Sequence, residues 1–274
     1  MVFITFMGCS SCATGTALLG PGNLFRDKRR SFIKIDILKR IYLAKTSSIS
    51  SNTLSEEYEI DLRSSASGFI VGHDREITLV ATSAHVCSVL YGKQINYFVR
   101  DYSPRNPAWK MTEKALYLLN GYKGRTYSAF PIAFDFDADI CILASAQISL
   151  PALKISQNKP TIGERYYNIA APMGIWSSKM IPLFEGFYLG IKNVRSDKKA
   201  SYVFSIPAMG GSSGSPILNS YGEVVGALHS AYRGFENICM ATTNKEIYLI
   251  YRKSVKRLLK NYDQYKVLID LINI

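Results

Sequence analysis

"GGSSGSP", residues 210–216, sits between two runs, "SYVFSI" (201–206) and "EVVGALHSAY" (223–232), whose β-branched and aromatic residues read as strands. A flexible linker is not normally so short, nor followed at once by Pro-Ile-Leu. The stretch is therefore a turn inside folded sequence. It either serves structure alone or presents a serine as a nucleophile, and the rest of the chain has to decide.

The 274 residues are 47% hydrophobic and 12% aromatic, with 18 tyrosines and 13 phenylalanines. That composition excludes disorder and low complexity and provides for one large core or two small ones. Strand-like runs fall into two sets. "SGFIVG", "ITLVATSA", "INYFVRDY", "KALYLL" and "ADICILAS" lie between about 55 and 150; "RYYNIAAP", "PLFEGFYLGI", "SYVFSIPA", "PILNS", "EVVGALHSAY" and "NICMATT" lie between about 160 and 243. "LPALKISQNKPTIGE" (150–164) connects them. Many short strands with closely spaced turns read as an all-β chain of barrels or sandwiches. "TNKE" (243–246) is a capping box that opens a C-terminal helix with apolar residues at Ile247, Ile250, Tyr251, Val255, Leu258 and Leu259. Residues 1–52 read as a variable N-terminal segment, 53–262 as the main domain, and 263–274 as a helical tail.

The net charge of +12 is uneven, with eight Lys/Arg against two Asp in residues 26–45 and a second basic run at 251–260. Such segments are expected to be solvated faces, or a surface for nucleic acid or anionic lipid. No apolar run is long enough to span a membrane. Cys9, after "FMG", stands where a lipoprotein signal places its acylated cysteine, but the basic lead is missing; lipidation there would mean export and anchoring, and a phage-associated protein is the other setting considered. Five cysteines at these spacings predict no disulfide scaffold, and Cys87, Cys141 and Cys239 read as buried thiols.

Of three histidines, His73 lies in a polar turn, while His85 ends an apolar strand in "VATSAHVC". In "FDFDADICIL", Asp139 alone directly precedes the apolar strand, where a carboxylate is held rigidly enough to orient a histidine; Asp135 and Asp137 read as turn residues. A serine hydroxyl becomes a useful nucleophile when an imidazole takes its proton, and the imidazole needs an acceptor on its other nitrogen. Ser213, His85 and Asp139 are the residues for those three roles.

"SGFIV", "TSAHV", "DADICIL", "IGERYYNIAAPMG" and "GSSGSPILNSYGEVVG", in this order over about residues 67–226, resemble the chymotrypsin-like serine peptidases, within them the bacterial and viral branch with glutamyl endopeptidases and high-temperature-requirement proteases. The resemblance implies two six-stranded antiparallel β-barrels with the site in the cleft between them. It also implies an acyl-enzyme on Ser213, an oxyanion hole from the amides of Gly211 and Ser213, and neither metal nor organic cofactor. The substrate would be a protein or peptide. A non-catalytic virion or envelope component that keeps the fold is the alternative. At the position that reads the substrate side chain stand Pro207 and Ala208, without a carboxylate, so Lys/Arg specificity is not implied. Leu228, His229 and Ser230 fall on the strand that lines the pocket. His229 would read Glu or Gln if a bulge turns it inward; otherwise Leu228 selects small or apolar side chains.

Overall fold

The computed structural model describes residues 21–46, 54–87, 109–193, 199–232 and 234–272. The segment holding Cys9 and Cys12, the Ser/Thr-rich loop after residue 46 and the run "INYFVRDY" lie outside them. Twelve strands form two closed antiparallel barrels of six. The first comprises β1 (Phe32–Thr46), β2 (Leu54–Asp74), β3 (Ile77–Thr82), β4 (Trp109–Asn120), β5 (Thr126–Asp135) and β6 (Ile140–Ala146), ordered β1-β2-β3-β6-β5-β4. The second comprises β7 (Arg165–Ile169), β8 (Leu183–Lys192), β9 (Ser201–Phe204), β10 (Pro216–Leu218), β11 (Val224–Tyr232) and β12 (Phe235–Thr243), ordered β10-β11-β12-β9-β8-β7. Helices α1 (Pro21–Lys28) and α2 (Ala84–Cys87) lie in the N-terminal half; α3 (Asn244–Lys260) and α4 (Tyr262–Ile272) close the chain.

The first barrel starts earlier than the sequence reading placed it. In "FIKIDIL" the isoleucines 33, 35 and 37 are buried while Lys34 and Asp36 between them are partly exposed, the period of two that a half-buried strand requires. The high charge of residues 26–45 masked that alternation. Much of this charge is used within the chain. Lys34 binds Asp36, Arg40 binds Asp61 through two hydrogen bonds, Arg29 and Arg30 lie over the Tyr122 ring, and Lys39 is buried.

Three apolar clusters organise the interior. Ile33, Ile35, Ile70, Val80, Tyr117 and Leu143 fill the first barrel; the second holds Tyr166, Tyr188, Tyr202 and Phe204, whose rings meet at 5.2–6.4 Å between centroids. The third cluster joins Leu79 and Ile142 of one barrel to Ile169, Leu218 and Val224 of the other, under Ile247, Ile250 and Leu258 of α3. β3 and β6 are consequently buried on both faces, which explains why their sequences are mostly apolar and do not alternate with charged residues. The N-cap half of the capping box is formed, with the Glu246 amide donating to Thr243 Oγ1, while the Glu246 carboxylate binds Lys199. Of the apolar positions expected to pack, Leu259 instead faces solvent. The segment between the barrels is tied to both, since Leu153 N–H donates to Ile70 C=O and Ser156 N–H to Val224 C=O.

The cysteine reading needs correction. Cys87 and Cys141 form a disulfide, joining α2 to β6, while Cys239 is a buried free thiol. Composition and apolar setting alone do not pair two such thiols; the fold brings their Cα atoms to 6.5 Å. Burial pushes the Cys239 thiol up to about 12, so it is inert as a nucleophile.

Candidate active site

β3 ends at Thr82, and the single turn of α2 then carries His85 to the rim of the first barrel. A tight turn between β5 and β6 delivers Asp139. Asp135 builds that turn, its Oδ1 accepting the amides of Asp137 and Ala138, and its other oxygen binds Lys199. Asp139 itself sits at φ +52°, a left-handed conformation that aspartate tolerates better than most residues and that aims its side chain at α2. From the second barrel, Thr242 Oγ1 donates to the carbonyls of Ala138 and Asp139 at 2.5 and 3.3 Å and fixes the turn from behind.

The result is a tightly held pair. His85 Nδ1 lies 2.8 Å from Asp139 Oδ2 and 3.1 Å from Oδ1, and the His85 backbone amide donates to Oδ1 at 3.0 Å. Burial alone would raise the Asp139 carboxyl. The hydrogen bonds from His85, together with the charges of His85 and His229, outweigh it and hold the group below its ordinary value. The carboxylate is thus the stable form, and a carboxylate on Nδ1 leaves Nε2 as the nitrogen for proton exchange.

The turn 210–213 is almost completely pinned. Gly210 C=O accepts from Met173 N–H at 2.6 Å, Gly211 C=O from Ser67 Oγ at 2.8 Å, Ser212 C=O from Ser215 N–H at 3.1 Å and Ser213 C=O from Ser67 N–H at 2.9 Å. One of its amides is also taken, Ser212 N–H donating to Met209 C=O, and the next residue, Gly214, donates its N–H to Leu228 C=O. Among the described residues, the amides of Gly211 and Ser213 have no acceptor. Because each trans peptide places N–H opposite C=O, the bonds on the Gly210 and Ser212 carbonyls dictate where those two amides point. Glycine is required at both ends. Gly211 has φ +93°, and a Cβ there would lie 2.5 Å from Ala171 O; Gly214 has φ +87°, and a Cβ would lie 2.2 Å from Thr82 Oγ1.

These contacts bring the two barrels together at the site. Gly214 presses on Thr82 and Ser67, and Ser83 Oγ donates to Leu228 C=O, so the Gly/Ser turn abuts the segment leading into His85. No hydrogen bond between the Ser213 hydroxyl and the His85 ring is formed among the described residues; such bonds commonly tighten only when substrate is bound.

The expected pocket residues fall in different places. Pro207 is half-buried and Ala208 buried. Leu228 is 1% exposed and packs in the second barrel with Phe204 and Ile217. His229 does lie on a bulge, since β11 pairs Leu228 with Ala241 and then Ser230 with Met240. The bulge turns it toward Asp139, with Nδ1 3.9 Å from Oδ2, and its ring nitrogens meet Ser230 Oγ and Ser201 Oγ at 3.0 Å each. Sequence reading missed the parts played by Ser67, Thr242 and the disulfide. One signal was available for the last: Cys87 and Cys141 have the same separation, 54, as His85 and Asp139.

Two barrels that meet at an aspartate-bound histidine and a serine turn with two free amides define the class: a chymotrypsin-like serine peptidase. The trypsin-like peptidase domain family matches residues 66–226, and the chain belongs to it as a serine endopeptidase. Among solved structures, it is similar to the Rv3671c protease from M. tuberculosis in its active form, with 15% identity and a TM-score of 0.57 over 92% of this chain and 94% of that one. The inactive form of that protease gives a TM-score of 0.53 at 15% identity over 84% and 91%. The serine endoprotease from Yersinia pestis is 16% identical with a TM-score of 0.56 over 86% of this chain, which spans 66% of that structure's length. At such identities the likeness is one of fold. No curated protein matches the chain.

Proposed function

We propose that the enzyme cleaves peptide bonds through an acyl-enzyme on Ser213. His85 takes the hydroxyl proton as Ser213 attacks the scissile carbonyl and returns it to the departing amine; a water molecule then repeats the sequence to release the acyl group. Asp139 fixes the imidazole's tautomer and stabilises the imidazolium. The amides of Gly211 and Ser213 receive the developing oxyanion, each worth on the order of 3–4 kcal/mol in comparable enzymes. The observation that carries this reading is the turn 210–213, in which every carbonyl is bonded and the Gly211 and Ser213 amides are left open, followed by Gly214 packed against Thr82 in the segment leading to the His85–Asp139 pair.

For specificity, the surroundings support a small or apolar side chain before the cut, with Ala208 and Leu228 beneath it. Pro207 and Ala208 offer no charge, and His229 is engaged by Ser201 and Ser230 behind Asp139. The test is labelling by a fluorophosphonate, located by peptide mapping, alongside hydrolysis of an unstructured protein. Modification at Ser213 that is lost in His85→Ala supports the mechanism. Hydrolysis that survives Ser213→Ala refutes it.

A further inference from the structure

The hydroxyl of Ser67 has no part in the chemistry above, yet it sits at the centre of the bonds that shape the site. Its Oγ accepts from Ala171 N–H at 2.9 Å and donates to Gly211 C=O at 2.8 Å. Its backbone N–H donates to Ser213 C=O, and its C=O accepts from Thr82 Oγ1 at 2.8 Å, three residues before His85. Ser67 is fully buried in β2 of the first barrel, whereas Gly211 and Ala171 belong to the second. The residue therefore bridges the histidine-bearing segment, the nucleophile turn and the strand end behind that turn.

We infer that the Ser67 hydroxyl is a positioning residue for the oxyanion hole, an inference that rests on the proposed roles of the Gly211 and Ser213 amides. The peptide between Gly211 and Ser212 lies between the two peptide planes that carry those amides. Its carbonyl is held by the Ser67 hydroxyl. Gly211 lacks a Cβ, so its own torsional preferences do little to keep φ at +93°. With the hydroxyl removed, the Gly211 carbonyl loses its donor and the buried Ala171 amide loses its acceptor. The central plane then keeps one of its two anchors, the Ser212 N–H bond to Met209 C=O, so it tilts more easily and the flanking amides are aimed less firmly. Only a hydroxyl both accepts and donates at this point; neither a methyl nor a poorly donating thiol can do so.

The experiment compares wild type with Ser67→Ala on one peptide substrate and measures the affinity of a matching peptide boronate, whose tetrahedral adduct on Ser213 places an anionic oxygen in the hole. We expect kcat to fall roughly ten- to a hundredfold, less than the full loss of one oxyanion donor. KM should stay within about threefold, because ground-state binding does not use the hole, and boronate affinity should fall in proportion to kcat. Fluorophosphonate should still label Ser213, more slowly. Should Ser67→Ala fold too poorly to assay, the near-isosteric Ser67→Cys is read in the same way. A variant with lower thermal stability but unchanged kcat and boronate affinity would assign Ser67 a purely structural role and overturn the inference. Wild-type enzyme that neither hydrolyses peptide nor labels at Ser213 would instead overturn the mechanism on which it rests.

Discussion

Reducing the Cys87–Cys141 bond should destabilise the fold mainly through the unfolded chain. The bond spans a sequence separation of 54. For a closed loop of about 55 residues, the loss of unfolded-state entropy amounts to about 4 kcal/mol at 25 °C, an upper bound because real denatured chains are already compact. Both cysteines are buried, at 4% and 0% exposure, and reduction deletes no heavy atom and leaves no cavity, although the two sulfurs must part from bonding distance to van der Waals contact. Reduction is thus a cleaner perturbation than substitution, which would add cavity terms. Urea unfolding of reduced and oxidised protein should show a loss of about 2–4 kcal/mol with only a small change in slope, taking typical values for such bonds. The comparison is best made in a Cys9→Ser/Cys12→Ser background, so that the buried pair is the bond being changed. In the folded reduced protein, kcat should stay close to wild type. The His85–Asp139 contact is held by three hydrogen bonds that do not depend on sulfur. A reduced protein with the same unfolding midpoint would refute the entropic account. A collapse of activity without loss of stability would show that the disulfide sets the geometry of the pair.

Ser213→Ala and His85→Ala should each lower turnover by roughly a million-fold, and the double variant should be little worse, because residues acting as a unit do not add; additive losses in steady-state kinetics would contradict these roles. Asp139→Asn should cost about ten-thousandfold in kcat while circular dichroism and thermal unfolding remain those of a folded protein. Because the Asp139 carboxyl is held below its ordinary value of 3.8, it adds stability above that pH, and the contribution fades as pH falls through the lower folded value. The stability gap between wild type and Asp139→Asn should therefore narrow in acid unfolding experiments below about pH 4; a gap that widens there has the wrong sign. His229→Ala should leave the preference before the cut unchanged on a peptide library, and loss of a Glu or Gln preference would show that the ring reaches substrate after all.

The periods of alternation, the turn residues and the capping box were local properties, and local properties survive without a structure. They were enough for an all-β chain in two sets of strands and a C-terminal helix. Glycines 211 and 214 were legible as turn residues, while their φ of +93° and +87° and the approach of Ala171 and Thr82 that excludes a side chain belong to the folded chain. His85 and Asp139 were legible as a strand end and a strand mouth, positions where a polar side chain is held without being sealed in. β1 was missed because its alternation lies beneath a high density of charge, part of which finds partners within β1, on β2 and on a neighbouring loop. Tertiary structure alone decided which residues meet across the barrels. Ser67 reaches Gly211 over 144 positions, Thr242 reaches Ala138 over 104, and the bulge at residue 229 turns its ring toward Asp139. Such pairings follow from how two closed sheets dock. The energy of a hydroxyl meeting a carbonyl has no local periodicity, so nothing in the sequence near Ser67 records the partner it will find.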